Sequence, residues 1–167
     1  MATILITGGA RSGKSVRAEA RATAFAGKPV HIATAEALDA EMRERIAGHR
    51  ARRGNEWIEH ETPLELVSAI QVTDGGGARL VDCLTLWLSN LMHAERDWSK
   101  ETAELAKTLR AQKSPVVLVT NEVGLGIVPD NALARQYRDA AGIMNQMIAA
   151  AADEVEFIVA GLSVRVK

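Results

Sequence analysis

The segment Gly8-Gly9-Ala10-Arg11-Ser12-Gly13-Lys14-Ser15 constrains this chain more than any other. It fits GxxxxGKS and lies between an apolar run, Ile4-Leu5-Ile6, and an Ala-rich stretch of helix-forming composition. A glycine-rich passage from strand to helix lets successive backbone N–H groups face one concavity, and the helix adds the positive end of its dipole. In that setting Lys14 reaches the β and γ phosphates of a nucleotide, and Ser15 supplies a magnesium ligand. A glycine turn with an exposed lysine is the alternative, and the full match in its strand and helix context argues against it.

The remaining pattern suits such a loop. Short β-rich apolar runs predict strands over residues 3–7, 29–34, 78–82, 116–120 and 155–160. Helical patterns cover 14–26, 36–53, 63–72, 84–93, 100–111 and 131–152. Strands alternating with helices imply an α/β fold, a P-loop NTPase (RecA-like) with a mostly parallel sheet flanked by helices. A turn at 161–163 leads into an antiparallel C-terminal edge strand over 164–167. No repeat or linker interrupts the chain, and residues 1–167 are expected to form a single P-loop nucleotide-binding domain. At 167 residues such a domain buries roughly 70% of its unfolded surface and needs no disulfide.

Composition narrows the partners. Twenty Lys and Arg stand against 21 Asp and Glu, with three Trp, one Tyr and two Phe, so neither the basic surface nor the aromatics of a generic nucleic-acid binder are present. No apolar run approaches the roughly 20 residues of a membrane span. The N-terminus reads as a first strand, not a signal peptide. Cys83 is the sole cysteine, which excludes an internal disulfide and a cysteine-only zinc site and suits a reducing cytoplasm.

A P-loop needs an acidic partner for its metal. Asp82 ends the run Arg79-Leu80-Val81-Asp82, where a parallel sheet opens its crevice. Its competing role is to cap the helix from Leu84 onward. Glu122 follows the strand over 116–120 and is either a second crevice acid or a solvated loop carboxylate. In the helix over 36–53, Leu38, Met42 and Ile46 form an inward stripe at four-residue spacing, and His49 falls on it between Arg45 and Arg53. Arginines clamp polyphosphates and a neutral imidazole is a nucleophile near pH 7. Spacing alone favours a hydrogen-bonded core or capping histidine. His31, His60 and His93 have weaker cases, and Trp57, Trp87 and Trp98 read as packing residues.

Taken in order, residues 7–15, Ile32-Ala33-Thr34-Ala35, Glu41-Met42 with Arg45-Ile46 and His49-Arg50, Asp82-Cys83-Leu84-Thr85-Leu86-Trp87, and Thr120-Asn121-Glu122-Val123-Gly124-Leu125-Gly126-Ile127-Val128-Pro129 closely resemble the bifunctional adenosylcobinamide kinase / adenosylcobinamide-phosphate guanylyltransferase family of cobalamin biosynthesis. The resemblance implies two reactions: phosphorylation of the aminopropanol hydroxyl of adenosylcobinamide, then transfer of GMP from GTP onto adenosylcobinamide phosphate with release of pyrophosphate. It implies ATP and GTP as substrates, Mg2+ as cofactor and a homotrimer. It aligns His49 with the histidine that carries GMP, and makes Lys14 its catalytic partner in the phosphate loop. Nucleotide contacts carry over onto Gly8, Gly9, Ala10, Arg11, Ser12, Gly13, Lys14 and Ser15, onto Ala33, Thr34 and Ala35, onto Arg50, Ala51, Arg52 and Arg53, and onto Glu61 and Asp82. The metal ligands are Ser15 and Asp82.

Three other readings compete. A kinase of another small molecule would leave His49 structural. A GTP-binding switch should carry an NKxD-type motif, whereas this chain reads Asn121-Glu122-Val123-Gly124 after the strand. A DNA-bound RecA-like module is opposed by the balanced charge.

Overall fold

Alternate residues of the first strand feed two different cores. In the computed structural model, which describes residues 2–36, 44, 48 and 54–167, strand β1 (Thr3–Gly8) sends Leu5 into one apolar cluster and Ile4 and Ile6 into another. That is how a parallel strand covered on both faces must read. The chain continues through α1 (Lys14–Thr23), β2 (Val30–Ala33), a 3-10 turn (Gly54–Glu56), β3 (Ile58–Glu61), α2 (Leu66–Val72) and β4 (Arg79–Asp82). It ends with α3 (Leu84–His93), α4 (Trp98–Arg110), β5 (Val116–Val119), α5 (Ala132–Ala151), β6 (Glu154–Val159) and β7 (Leu162–Arg165). The sheet runs β3-β2-β4-β5-β1-β6-β7, parallel throughout except that β7 pairs antiparallel with β6. The expected α/β architecture and its antiparallel final strand are both present.

Two elements differ from expectation. Strand β3 falls in a segment to which the sequence assigns no element. It is a sheet edge and largely exposed, so Ile58-Glu59-His60-Glu61 carries no apolar run to announce it. Strand β7 starts two residues early because Ala160 and Gly161, at φ 52° and 80°, make a two-residue hairpin that pairs Val159 with Leu162. Most of the expected helix over 36–53, including Leu38, Met42, Ile46 and His49, lies outside the described residues; Glu44 and Gly48 within it are helical.

Helices α2 to α5 cover the Leu5 face, where Trp87 is fully buried and donates its indole N–H to the Leu64 carbonyl at 2.8 Å. Truncating it to alanine would cost about 3–5 kcal/mol. Helix α1 lies on the other face through Ala18 and Ala22, whose small side chains let it approach the sheet closely. Two arginines on α1 fix it sideways. Arg17 grips Glu156 of β6 bidentately at 2.6 and 3.0 Å, and Arg21 bridges Glu156 and Glu154 at 2.8 and 2.9 Å. The Arg17 hydrogen bond, aided by Ser163 and Arg21 and opposed by burial, holds the Glu156 carboxyl below its ordinary range. The Trp side chains serve packing, as expected: Trp57 is buried in the second cluster and Trp98 packs on the edge of the first.

Candidate active site

The turn out of β1 needs glycine twice. Gly8 has φ 150°, and a Cβ there would lie 2.3 Å from the Ile158 carbonyl oxygen of β6. Gly13 has φ 102°, a left-handed conformation that glycine adopts without strain, and a Cβ there would sit 3.3 Å from Gly161 Cα. The loop therefore rests on the β6–β7 hairpin, and the Gly161 N–H donates to the Ser12 carbonyl at 2.9 Å. Gly13 is also the N-cap of α1, with no side-chain cap bond, which leaves the helix N-terminus to an anion. Lys14 is buried and its Nζ donates back to the Gly9 carbonyl at 2.5 Å. The Ser12 hydroxyl is buried with no hydrogen-bond partner among the described residues. A bound oxyanion would satisfy such a group.

This loop forms one wall of a cleft of about 880 Å³ at the carboxyl ends of the parallel strands. The lining includes Arg11, Ser12, Lys14 and Ser15 from the loop, and Asp82 from β4. The lining also includes Asn121, Glu122 and Val123, which follow β5. Arg11 holds a left-handed φ of 53° at the mouth of the loop, a conformation unusual for a side chain with a Cβ.

Asp82 is not the helix cap. Cys83 occupies that position in an extended conformation, and its thiol meets Thr85 Oγ1 at 3.1 Å. Burial, with the nearby Asp82 charge, pushes the Cys83 thiol above its ordinary pKa. A hydroxyl and a carboxylate oxygen sharing this cleft are the hard donors that Mg2+ prefers. Among the described residues no group of three or more His, Cys, Asp and Glu could hold a metal unaided. The donor set therefore fits an ion that arrives with phosphate oxygens.

The other expected contacts stand apart from this lining. Ala33 pairs in register with Asp82 on one side and with Glu61 on the other, so the three form a row along the strand ends. Thr34 is fully buried and holds the corner after β4: its hydroxyl donates to the Cys83 carbonyl at 2.7 Å and accepts from the Cys83 N–H at 2.9 Å. Ala35 follows it, and Glu61 is exposed. His49, Arg50, Ala51, Arg52 and Arg53 lie outside the described residues. His31 pairs with Glu59 at 2.8 Å across β2 and β3, and His93 meets the Ser89 carbonyl at 2.7 Å in its own helix.

Sequence reasoning missed Asn121 as a cleft residue. Its side chain donates to Thr85 Oγ1 at 2.7 Å, and Asn145 donates to its carbonyl at 3.2 Å, so α3 and α5 together hold the start of the segment after β5. A polar residue one step past an apolar strand was the available signal.

The family described as cobinamide kinase / cobinamide phosphate guanyltransferase matches residues 4–166. The bifunctional adenosylcobalamin biosynthesis protein CobP of Pseudomonas aeruginosa is 46% identical over 167 residues, covering 98% of this chain and 96% of that protein. CobU of Salmonella typhimurium, with the same bifunctional description, is 42% identical over 180 residues and covers 98% and 99%. Among solved structures, an ATPase of a type III secretion system of pathogenic bacteria superposes with TM-score 0.61 at 12% identity, covering 98% of this chain and 56% of that one. The flagellar accessory protein FlaH of Methanocaldococcus jannaschii gives 0.58 at 13%, covering 99% and 78%. At that identity the likeness concerns the fold alone.

Proposed function

This chain belongs to the cobinamide kinase / cobinamide phosphate guanyltransferase family, and on that premise we propose that one domain, residues 1–167, runs both reactions from the single P-loop cleft. The observation that carries the proposal is the meeting of Arg11, Lys14, Ser15 and Asp82 in one cleft at the carboxyl ends of β1, β4 and β5.

In the kinase step the N–H groups of Gly8, Gly9, Ala10, Arg11, Ser12 and Gly13 and of the first turn of α1 hold the β and γ phosphates of ATP or GTP. Lys14 offsets their charge. Ser15 Oγ and the Asp82 carboxylate would hold Mg2+, which neutralises charge on the triphosphate. The γ-phosphoryl group then passes to the aminopropanol hydroxyl of adenosylcobinamide. In the transferase step neutral His49 attacks the α-phosphorus of GTP: an N–P bond forms, the P–O bond to pyrophosphate breaks, and pyrophosphate leaves. The phosphate of adenosylcobinamide phosphate then displaces the imidazole and takes the GMP. We assign Arg50, Ala51, Arg52 and Arg53 to the nucleotide, the arginines to its phosphates. Ala33, Thr34, Ala35 and Glu61 form the nucleotide's outer contacts.

Retention of label from α-labelled GTP after denaturation tests the histidine. The bond should be acid-labile and alkali-stable, because protonating a phosphoramidate makes imidazole a good leaving group. His49→Ala should lose label and transferase activity and keep phosphorylation of adenosylcobinamide. Label surviving in the variant, or equal loss of both activities, would remove His49 from the covalent role.

We further propose a homotrimer acting in the cytoplasm. Leu125, Ile127 and Val128 stand 82%, 98% and 62% exposed in one loop, apolar surface of the kind that subunits bury. Light scattering at assay concentration should give three times the chain mass; a fully active monomer would refute it.

A further inference from the structure

We infer that Glu122 takes the proton of the acceptor hydroxyl in the kinase step. This rests on the kinase reading above and adds the general base that the phosphate loop does not supply. Among the described residues three carboxylates line the cleft: Glu44, Asp82 and Glu122. Asp82 is engaged as a metal ligand in that reading, and it stands on β4, which β5 separates from the P-loop strand. Glu44 is exposed and belongs to the segment between β2 and β3. Glu122 follows β5, the strand hydrogen-bonded to β1, and the pairing runs on past the strand end: the Thr120 N–H donates to the Ile6 carbonyl and the Glu122 N–H to the Gly8 carbonyl, both at 3.0 Å. The residue is thus tied to the first glycine of the phosphate loop.

Its carboxylate also has a partner in this turn. Glu122 Oε1 accepts the Gly124 N–H at 2.5 Å, and a Cβ on Gly124 would stand 2.9 Å from that same oxygen. A side chain added at 124 would push the carboxylate off this turn. A negative group facing a triphosphate site repels the nucleotide, and that repulsion is tolerable where the group must receive a proton. In the step, the substrate oxygen forms a bond to the γ-phosphorus and the bond from phosphorus to the β-bridging oxygen breaks. The nucleoside diphosphate leaves with that electron pair, and the hydroxyl proton passes to Glu122 and then to solvent. Guanylyl transfer needs no such base, because its nucleophiles are a neutral imidazole and a phosphate already ionised.

The two activities therefore respond differently to this residue. In Glu122→Gln the ratio of kinase to transferase kcat, the latter assayed with adenosylcobinamide phosphate supplied directly, should fall at least about 100-fold. The nucleotide KM should hold or drop as the repulsion is removed. Gly124→Ala keeps the carboxylate and displaces it, and should lower the same ratio roughly 10- to 100-fold with an unchanged melting temperature. An unchanged ratio in Glu122→Gln, or an equal fall in both activities, overturns the inference alone. A wild-type protein without kinase activity overturns the inference and the reading beneath it.

Discussion

The two ends of β4 carry charge in opposite ways. At the amino end Arg79 is fully buried, yet its guanidinium donates to the carbonyls of Ile70 and Ser114 at 3.2 and 2.6 Å, to Gln112 at 3.1 Å and to Asp74 at 3.0 Å. Those acceptors come from α2 and from the connections that precede β4 and β5. Three residues along the same strand, Asp82 stands half-buried in an open cleft. A buried cation gripped by this many acceptors ties the surrounding loops together and stiffens the fold. Asp82, by contrast, presents its side chain to the cleft. The two ends lie within one four-residue strand, and on the proposed reading each can be broken without the other.

The largest effect is expected at the amino end. Arg79→Met removes the cation, leaving Asp74 without its charge partner and the Ile70 and Ser114 carbonyls without this donor, at a cost of about 3–5 kcal/mol. Urea unfolding should show that loss, while both activities per folded molecule stay at wild-type level. Reduced activity in the folded variant would mean that the two ends are coupled. At the carboxyl end the expectation reverses. Asp82→Asn should raise the magnesium concentration for half-maximal rate and slow both reactions about tenfold or more, a factor of about 1.4 kcal/mol in the barrier. Its melting temperature should hold. An unchanged magnesium titration would remove Asp82 from the metal.

The smallest effect is in acid. Burial disfavours the charged form of Asp74, but the N–H donors of Lys113 and Ser114 and the Arg79 charge outweigh it and hold the carboxyl below its ordinary value of 3.8. The unfolded chain therefore binds this proton more readily than the folded one. The stabilisation is complete above the ordinary value and is lost as pH falls through the lower folded value. Asp74→Asn should flatten the fall of the urea midpoint between about pH 4 and pH 3. A slope identical to wild type would assign that acid sensitivity to Glu156, whose pKa is depressed in the same direction.

The same contrast explains what could be read from the chain. The phosphate loop was legible because its eight residues are contiguous and make one passage from β1 into α1. Asp82 was legible because the end of an apolar run marks the crevice. The Arg79 network was not, since its partners Asp74, Gln112 and Ser114 lie up to 35 residues away in sequence and only the sheet order brings them together. Strand β3 escaped notice for want of an apolar face. Glu122 was a candidate acid in the sequence, but its tie to Gly8 depends on β5 lying beside β1, which no local pattern encodes. Thr34 shows the converse. The resemblance carries a nucleotide contact onto it, whereas its hydroxyl is engaged by both backbone groups of Cys83, so any contact with a nucleotide must use other atoms.

That one cleft serves both reactions is tested most directly by Lys14→Ala, with kinase and transferase assayed separately on the same preparation. Both activities should fall together by at least about 100-fold, since each needs a triphosphate whose charge Lys14 offsets. Wild-type guanylyl transfer in a variant that no longer phosphorylates adenosylcobinamide would contradict it and would require a second nucleotide site.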